Sequence, residues 1–320
     1  MFKIRSPQIE DFKKLEEIIK NYPHVEAIHE LPLHNFAYFI QNLIPHNFRL
    51  FPSIHIAVEG KNILGFVVLR CTSKPNNCWQ IDEVFVLDEL RNKGIGEELL
   101  RYVLSVYGGY GIEHFLAEVD SRNFPALSLF HECGFRRYAK VYNYQKEIDL
   151  SSLKELSLLD KDYIIRPQNK NDLVELEKID LSIIPPDLRP ALGRSKKYFK
   201  EKKNTIVLIE KSRNLIIGWA QIQKSGEDDY FIEMLINPGW NHLYKNFLNT
   251  IICDHIAVNS NKLTLTIKVI DYITDLAEIL TKSGFLPREV RELLVRTVWQ
   301  KVKERKKKSA QLGAPSIAPT

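Results

Sequence analysis

Cysteine is scarce in this chain. The four present (Cys71, Cys78, Cys133 and Cys253) form no Cys-x-x-Cys pair and no Cys/His ligand spacing, so no metal site is expected. No apolar run approaches the roughly 20 residues of a membrane span, and no membrane association is expected. Few cysteines and no secretory segment after Met1 together give the expectation of a reducing, cytoplasmic location. A large excess of one charge is missing too: 45 Lys+Arg against 40 Asp+Glu leave +5. Much of that excess sits in Lys301–Lys308, with six basic residues in eight. A small-residue, proline-bearing stretch follows, so 303–320 reads as a basic, disordered tail. Without aromatic interleaving or a groove-reading motif, nucleic-acid binding is not expected as the main task. Two phosphate-binding fingerprints are also absent. The Rossmann pattern lacks its third glycine, and the single Gly-Lys pair, Gly60-Lys61, lies between strand-like runs and reads as a hairpin turn.

What is present suits a soluble globular protein: 44% hydrophobic and 27% charged residues over 320 positions, enough for two domains. The first half alternates element types. Phe2–Arg5 is strand-like, and Gln8–Lys20 carries Ile9, Phe12, Leu15, Ile18 and Ile19 on one helical stripe. A short aromatic helix is expected at Asn35–Leu43. Ile54–Val58 and Ile63–Arg70 flank the Gly60 hairpin, and Trp79–Leu87 follows as a strand. Then come a helix over Gly94–Tyr107, a strand at His114–Val119, a helix at Phe124–Glu132 and a strand at Tyr138–Ile148. The fold class expected is a mixed, mostly antiparallel α/β (α+β) sheet flanked by helices, over residues 1–149.

Residues 150–162 read as a linker, after which the pattern restarts over 163–302. Ile165-Arg166, Asp172-Leu173, Leu176 and Glu177 match Ile4-Arg5, Asp11-Phe12, Leu15 and Glu16 at a constant spacing of 161. Further on, Ile216–Trp219 echoes Ile63–Phe66, and Ser283-Gly284-Phe285 echoes Cys133-Gly134-Phe135. Ordered matches of this kind indicate an internal duplication.

One segment is not repeated. Arg91-Asn92-Lys93-Gly94-Ile95-Gly96 joins a strand to a helix, and its two glycines let backbone approach a bound group. The unpaired N–H groups of the helix's first turn and its dipole favour a phosphate or pyrophosphate there. Arg91 and Lys93 add positive charge. The counterpart, Pro238–Tyr244, has one glycine and no cation before Lys245, so the second half is expected to have lost the cofactor site.

Val84–Leu100, with Arg91-x-x-Gly94-x-Gly96, resembles the acetyl-CoA motif of the GCN5-related N-acetyltransferases. Asn123–Phe135 resembles that family's second stretch, with Asn123 and Ala126 on the cofactor-side helix. The resemblance covers 1–148 well and 163–300 weakly, and implies a tandem arrangement with a degenerate second unit. It implies acetyl-CoA as cosubstrate, with the pyrophosphate in the turn Arg91, Asn92, Lys93, Gly94, Ile95 and Gly96. The pantetheine arm would follow the backbone at Phe85 and Val86, and the thioester would lie where that strand splays from His114–Val119. Asn123, Ala126 and Phe130 would flank the cofactor.

The reaction implied is direct attack of a primary amine on the thioester, which needs a base because the amine is protonated at neutral pH. Asp82 and Glu83 are the candidates, and strand alternation sends them to opposite faces, so one can serve; Glu83 is favoured. Relatives often place a tyrosine, as general acid, where this chain has Phe130, which has no proton to give. Tyr138, Tyr142 and Tyr144 are substitutes that read more simply as packing. His131 reads as an exposed helix residue and Cys133 as buried packing. The alternative function is a non-catalytic acyl-CoA-binding, regulatory or protein-interaction module. The acceptor groove is expected between the helices of Gln8–Leu43 and the second domain, lined by His24–Pro52. The sequence assigns no particular acceptor and no oligomeric state.

Overall fold

The computed structural model describes residues 2–22, 52–73, 78–149, 158–186, 189–194, 196–256 and 262–298. The expected helix at 35–43, nearly all of 24–52, most of the linker and the basic tail lie outside the described residues. The first half runs β1 (Lys3–Arg5), α1 (Ile9–Asn21), β2 (Ser53–Glu59), β3 (Asn62–Ser73), β4 (Cys78–Val86), α2 (Ile95–Gly109), β5 (His114–Asp120), α3 (Phe124–Glu132) and β6 (Arg136–Asp149). The second runs β7 (Tyr163–Pro167), α4 (Leu173–Ile183), α5 (Arg189–Leu192), α6 (Lys196–Glu201), β8 (Thr205–Glu210), β9 (Leu215–Lys224), β10 (Asp229–Ile236), α7 (Tyr244–Asp254), β11 (Lys262–Ile270), α8 (Thr274–Lys282) and β12 (Leu286–Thr297). No described helix is long and apolar enough to cross a membrane.

The duplication is visible in the contacts. Arg5 reaches Asp11 at 2.5 Å and Arg166 reaches Asp172 at 2.7 Å. In both, the same carboxylate oxygen also accepts a backbone N–H three residues upstream, from Gln8 or Asn169, at 2.7 Å. Each pair ties the first strand of its half to the start of the following helical segment. Gly134 and Gly284 both take the left-handed conformation, with φ of +82° and +81°, at a helix-to-strand turn where a Cβ would be strained.

The two halves are nevertheless not separate sheets. All twelve described strands form one sheet, ordered β1-β2-β3-β4-β5-β12-β6-β11-β10-β9-β8-β7. The last strand of each half has crossed to the other: β12 lies against β5 of the first half, and β6 lies against β11 of the second. In the central β6–β12 pair, Val141 faces Arg291, its equivalent 150 residues later, so a local two-fold axis passes between them. Burial follows the exchange. Tyr144 and Ile148 belong to the apolar cluster of the second half, and Leu294 to that of the first. Burying a side chain of this size contributes about 1.5–3 kcal/mol, so the exchanged strands couple the halves by several kcal/mol. The chain boundary near 149 divides the sequence repeat without dividing the folded structure.

A candidate acyl-CoA cradle at the splayed strands

Strands β4 and β5 run parallel and pair only through Cys78–Ile81 against His114–Ala117; beyond that they part. The separation begins at a bulge in β4. Leu69 pairs with Ile81 and Val68 with Glu83, so Asp82 is the extra residue of the bulge. After β4 a one-turn 3-10 segment, Asp88–Leu90, leads into the turn before α2.

That turn holds two left-handed residues, Asn92 at φ +60° and Gly94 at φ +79°. A Cβ on Gly94 would meet nothing within 4 Å, so conformation alone asks for glycine there. The Gly94 carbonyl accepts the first helical bond, from Glu98 N at 3.0 Å. The N–H groups of Ile95, Gly96 and Glu97 are therefore left without partners inside the helix, at its positive end. This is the geometry of an anion cradle. The two cations are not equal in it: Arg91 is bonded to Asp88 at 2.6 Å, with both side chains more than half exposed. Lys93 is exposed on the turn. Gly96 has a different task from Gly94. A Cβ there would lie 3.1 Å from Leu129 of α3 and 3.7 Å from Val86, so glycine lets α2 sit close to both.

The bulge corrects the expectation that Asp82 and Glu83 face opposite ways. Trp79 and Ile81 pack on the α2 side of the sheet, and so do Val84 and Val86. The parity of the strand thus flips between 81 and 84, which puts Asp82 and Glu83 together on the other side, where Phe85 packs with α1. The carboxylate of Asp82 is 5% exposed and accepts from Arg70 Nε at 2.7 Å. Both acids therefore stand beside the opening on the α1 side of the sheet.

The remaining sequence candidates divide. Asn123 caps α3, its side chain accepting from Ala126 N at 3.1 Å, and both residues sit at the rim of the turn's neighbouring helix. Phe130 is 5% exposed and packs edge-on against Phe135, 5.0 Å between centroids. Tyr142 and Tyr144 cannot stand in as acids in this opening, because β6 carries them into the core of the second half. Tyr138 is 42% exposed on the same strand. His114 lies at the paired end of β5, away from the opening, and its Nδ1 is 3.2 Å from Thr297 Oγ1. Burial lowers its pKa despite nearby Glu113. His131 is exposed. Cys133 is 1% exposed, and burial raises its thiol pKa above the usual value.

The second half shows how such an opening closes. The buried residues of α2, Ile95, Leu99, Leu100, Val103 and Leu104, align with Leu243, Phe247, Leu248, Ile251 and Ile252 around α7. That register places Tyr244 opposite Gly96. Its phenol oxygen accepts the backbone N–H of Ile236 at 3.0 Å, and Ile236 is the equivalent of Val86. A side chain of the second half thus occupies the backbone group that the first half leaves beside Gly96. No left-handed residue precedes α7: Leu243, before its first residue, is right-handed at φ −84°. Strand β10 has no bulge, and Glu233, the equivalent of Glu83, is bonded to Arg194 and to the Tyr198 hydroxyl. Sequence reading missed both Tyr244 and Arg194. The apolar spacing of 243–252 carried the signal for the first, since it fixes which residue replaces Gly96.

Comparison with known proteins agrees with this geometry. Residues 13–135, most of the first half, match the Acetyltransferase (GNAT) family. A curated relative, an N-alpha-acetyltransferase of Saccharolobus solfataricus, is 22% identical over 158 residues, covering 45% of this chain and 85% of its own. Two solved structures match nearly the whole chain. A GCN5-related N-acetyltransferase from Sphaerobacter thermophilus has a TM-score of 0.57 at 12% identity, covering 92% of this chain and 95% of its own. A tandem GNAT protein from the clavulanic acid biosynthesis pathway has a TM-score of 0.60 at 9% identity, covering 94% and 100%. At such identities these two establish the fold, and they establish it over both halves: the chain consists of two GNAT-like domains.

Proposed function

We propose that the first domain transfers an acetyl group from acetyl-CoA to a primary amine, and that the second domain binds no cofactor. The observation that carries this reading is the left-handed, glycine-bearing helix start at Gly94–Gly96, set against a counterpart that has a right-handed Leu243 before α7 and the strand N–H of Ile236 taken by Tyr244. The N–H groups of Ile95, Gly96 and Glu97, with Asn92 and Lys93 around them, would hold the pyrophosphate. The edge of β4 at Phe85 and Val86 would take the pantetheine amides, and the thioester end would lie beyond Ile81 and Ala117, where the β4–β5 pairing ends. Acetyl-CoA supplies an activated acyl group whose leaving thiol makes transfer to nitrogen favourable.

We assign the base to Glu83, which stands on β4 just past the point where β4 and β5 part. The incoming amine gives up its proton toward the Glu83 carboxylate, its nitrogen bonds to the acyl carbon, and the C–S bond breaks. Phe130 has no proton to give, so the departing thiolate takes one from water. The curated relative's name makes a polypeptide α-amino group the first acceptor class to test. Thiol release from acetyl-CoA would be followed with peptides bearing a free N-terminus, with N-blocked lysine peptides and with small amines. Release with one class supports transfer. Saturable acetyl-CoA binding without release for any class would favour the binding-only module, to which the phenylalanine at 130 points.

A further inference from the structure

At the end of the sheet opposite α7's first turn, the second domain has a cavity of about 860 Å3. It opens where β7 and β9 leave the sheet and β8 and β10 enter it. Its described lining includes Lys170, Lys200, Lys202 and Lys224, with His255 beside them, and no carboxylate. Thr205 also lines it, is 6% exposed, and its hydroxyl has no hydrogen-bond partner among the described residues. The apolar part of the wall is Leu173, Ile206 and Ile222, with the Tyr230 ring, over which Lys224 Nζ sits at 5.8 Å.

Lys202 Nζ lies over the Tyr198 ring at 4.9 Å and interacts with Glu233, which leaves Lys170, Lys200 and Lys224 as lining cations that repel each other unless an anion joins them. The C-terminal end of α7, at His255, offers only about half a negative charge against them. The volume lies within the roughly 300–1,000 Å3 of small-molecule sites, and an apolar wall with an aromatic ring suits a ligand that is more than a bare ion. The position equivalent to Thr205 in the first domain is Ile54, 3% exposed in an apolar cluster, so the buried hydroxyl has no counterpart at that position.

We propose that this cavity binds a phosphorylated small molecule of about mononucleotide size, giving the second domain a ligand of its own. The site is independent of the cofactor turn and of the acetyl-transfer reading. AMP serves as the probe, titrated calorimetrically into the full chain with coenzyme A already at saturation. Saturable binding at one site per chain is expected. Lys170→Glu/Lys224→Glu, at two exposed side chains, should weaken it at least about tenfold, equivalent to about 1.4 kcal/mol. Thr205→Val should weaken it by a smaller factor, and Gly94→Asp in the first domain should leave it unchanged. Matching melting temperatures of the double variant and the parent would show that the loss is local. Three outcomes overturn the proposal. One is no saturable binding up to about 1 mM, the weak end of specific affinity. Another is binding that survives the double lysine variant or disappears with Gly94→Asp. The third is a single-stranded oligonucleotide that displaces AMP and binds more tightly, which would make the face a nucleic-acid surface instead.

Discussion

Glu118 and Lys268 hold equivalent places, 150 residues apart, in β5 and β11, and they are bonded to each other. The ammonium group lies 2.8 Å and 3.1 Å from the two carboxylate oxygens, reaching across the exchanged strands β12 and β6. Each side chain is about three-quarters buried. A pair joining the same position of two repeats fits the local two-fold axis that the antiparallel β6–β12 pairing sets.

The exchange makes the halves one cooperative structure. Urea unfolding of the full chain is expected to follow a single transition by both circular dichroism and tryptophan fluorescence. A chain ending at Asp149 would lack β12, leaving β5 with a bare edge and Tyr144 and Ile148 without their core. Size-exclusion chromatography should show it aggregating or associating rather than running as a folded monomer.

Acid should destabilise both halves through matching carboxylates. Burial raises the pKa of Asp11, but the Arg5 guanidinium and the Gln8 amide outweigh it and leave it lowered. Asp172 behaves alike with Arg166 and Asn169. Asp120, bonded to Arg122, falls from 3.8 to about 2. A carboxylate with a lowered folded pKa adds stability above its unfolded pKa and loses it as pH drops through the folded value. Unfolding free energy should therefore decline as pH falls from about 4 toward 2, and Asp11→Asn with Asp172→Asn should flatten that decline.

Arg194 has a structural task in the second domain. It bonds Glu233 and lies 3.3 Å from Asp180, which is 1% exposed. Burial raises the Asp180 pKa, with Arg194 opposing it. Arg194→Met leaves two carboxylates buried without their cation and should cost about 3–5 kcal/mol by urea denaturation. Adding Glu233→Gln should recover part of that loss, since one buried charge is then removed.

Two glycines should respond differently to alanine. At Gly65 a Cβ would lie 2.5 Å from the Phe85 carbonyl oxygen, a backbone atom that cannot yield cheaply. At Gly96 the nearest atom, at 3.1 Å, is the flexible end of Leu129. Gly96→Ala should cost about 1 kcal/mol, and Gly65→Ala more than about 3 kcal/mol, seen as a far larger fall in melting temperature.

Local patterns in the sequence placed the described strands and helices of the first half, and found the turn at 91–96. Hydrophobic periodicity sets an element's faces, and left-handed turns leave glycines behind. The partners of β6 and β12 were hidden, because alternation shows which side of a strand is buried and not which strand lies beside it. The bulge at Asp82 was hidden for a related reason: one extra residue shifts parity without changing residue types. The duplication was legible in Arg5-Asp11 and Arg166-Asp172, because the pair recurs at one spacing. Tyr244 was overlooked because its meaning depends on a register set by packing.

The most direct measurement is an equilibrium titration of the full chain with acetyl-CoA, alongside Gly94→Asp. At 94 a side chain has space, so the strain of a left-handed aspartate is about 1 kcal/mol and the fold should persist. Its carboxylate, however, would repel a pyrophosphate held in the proposed cradle. One site per chain, abolished by Gly94→Asp with the melting temperature nearly kept, is the predicted result. Two sites per chain, or unchanged affinity in Gly94→Asp, would contradict a single cofactor cradle at this turn.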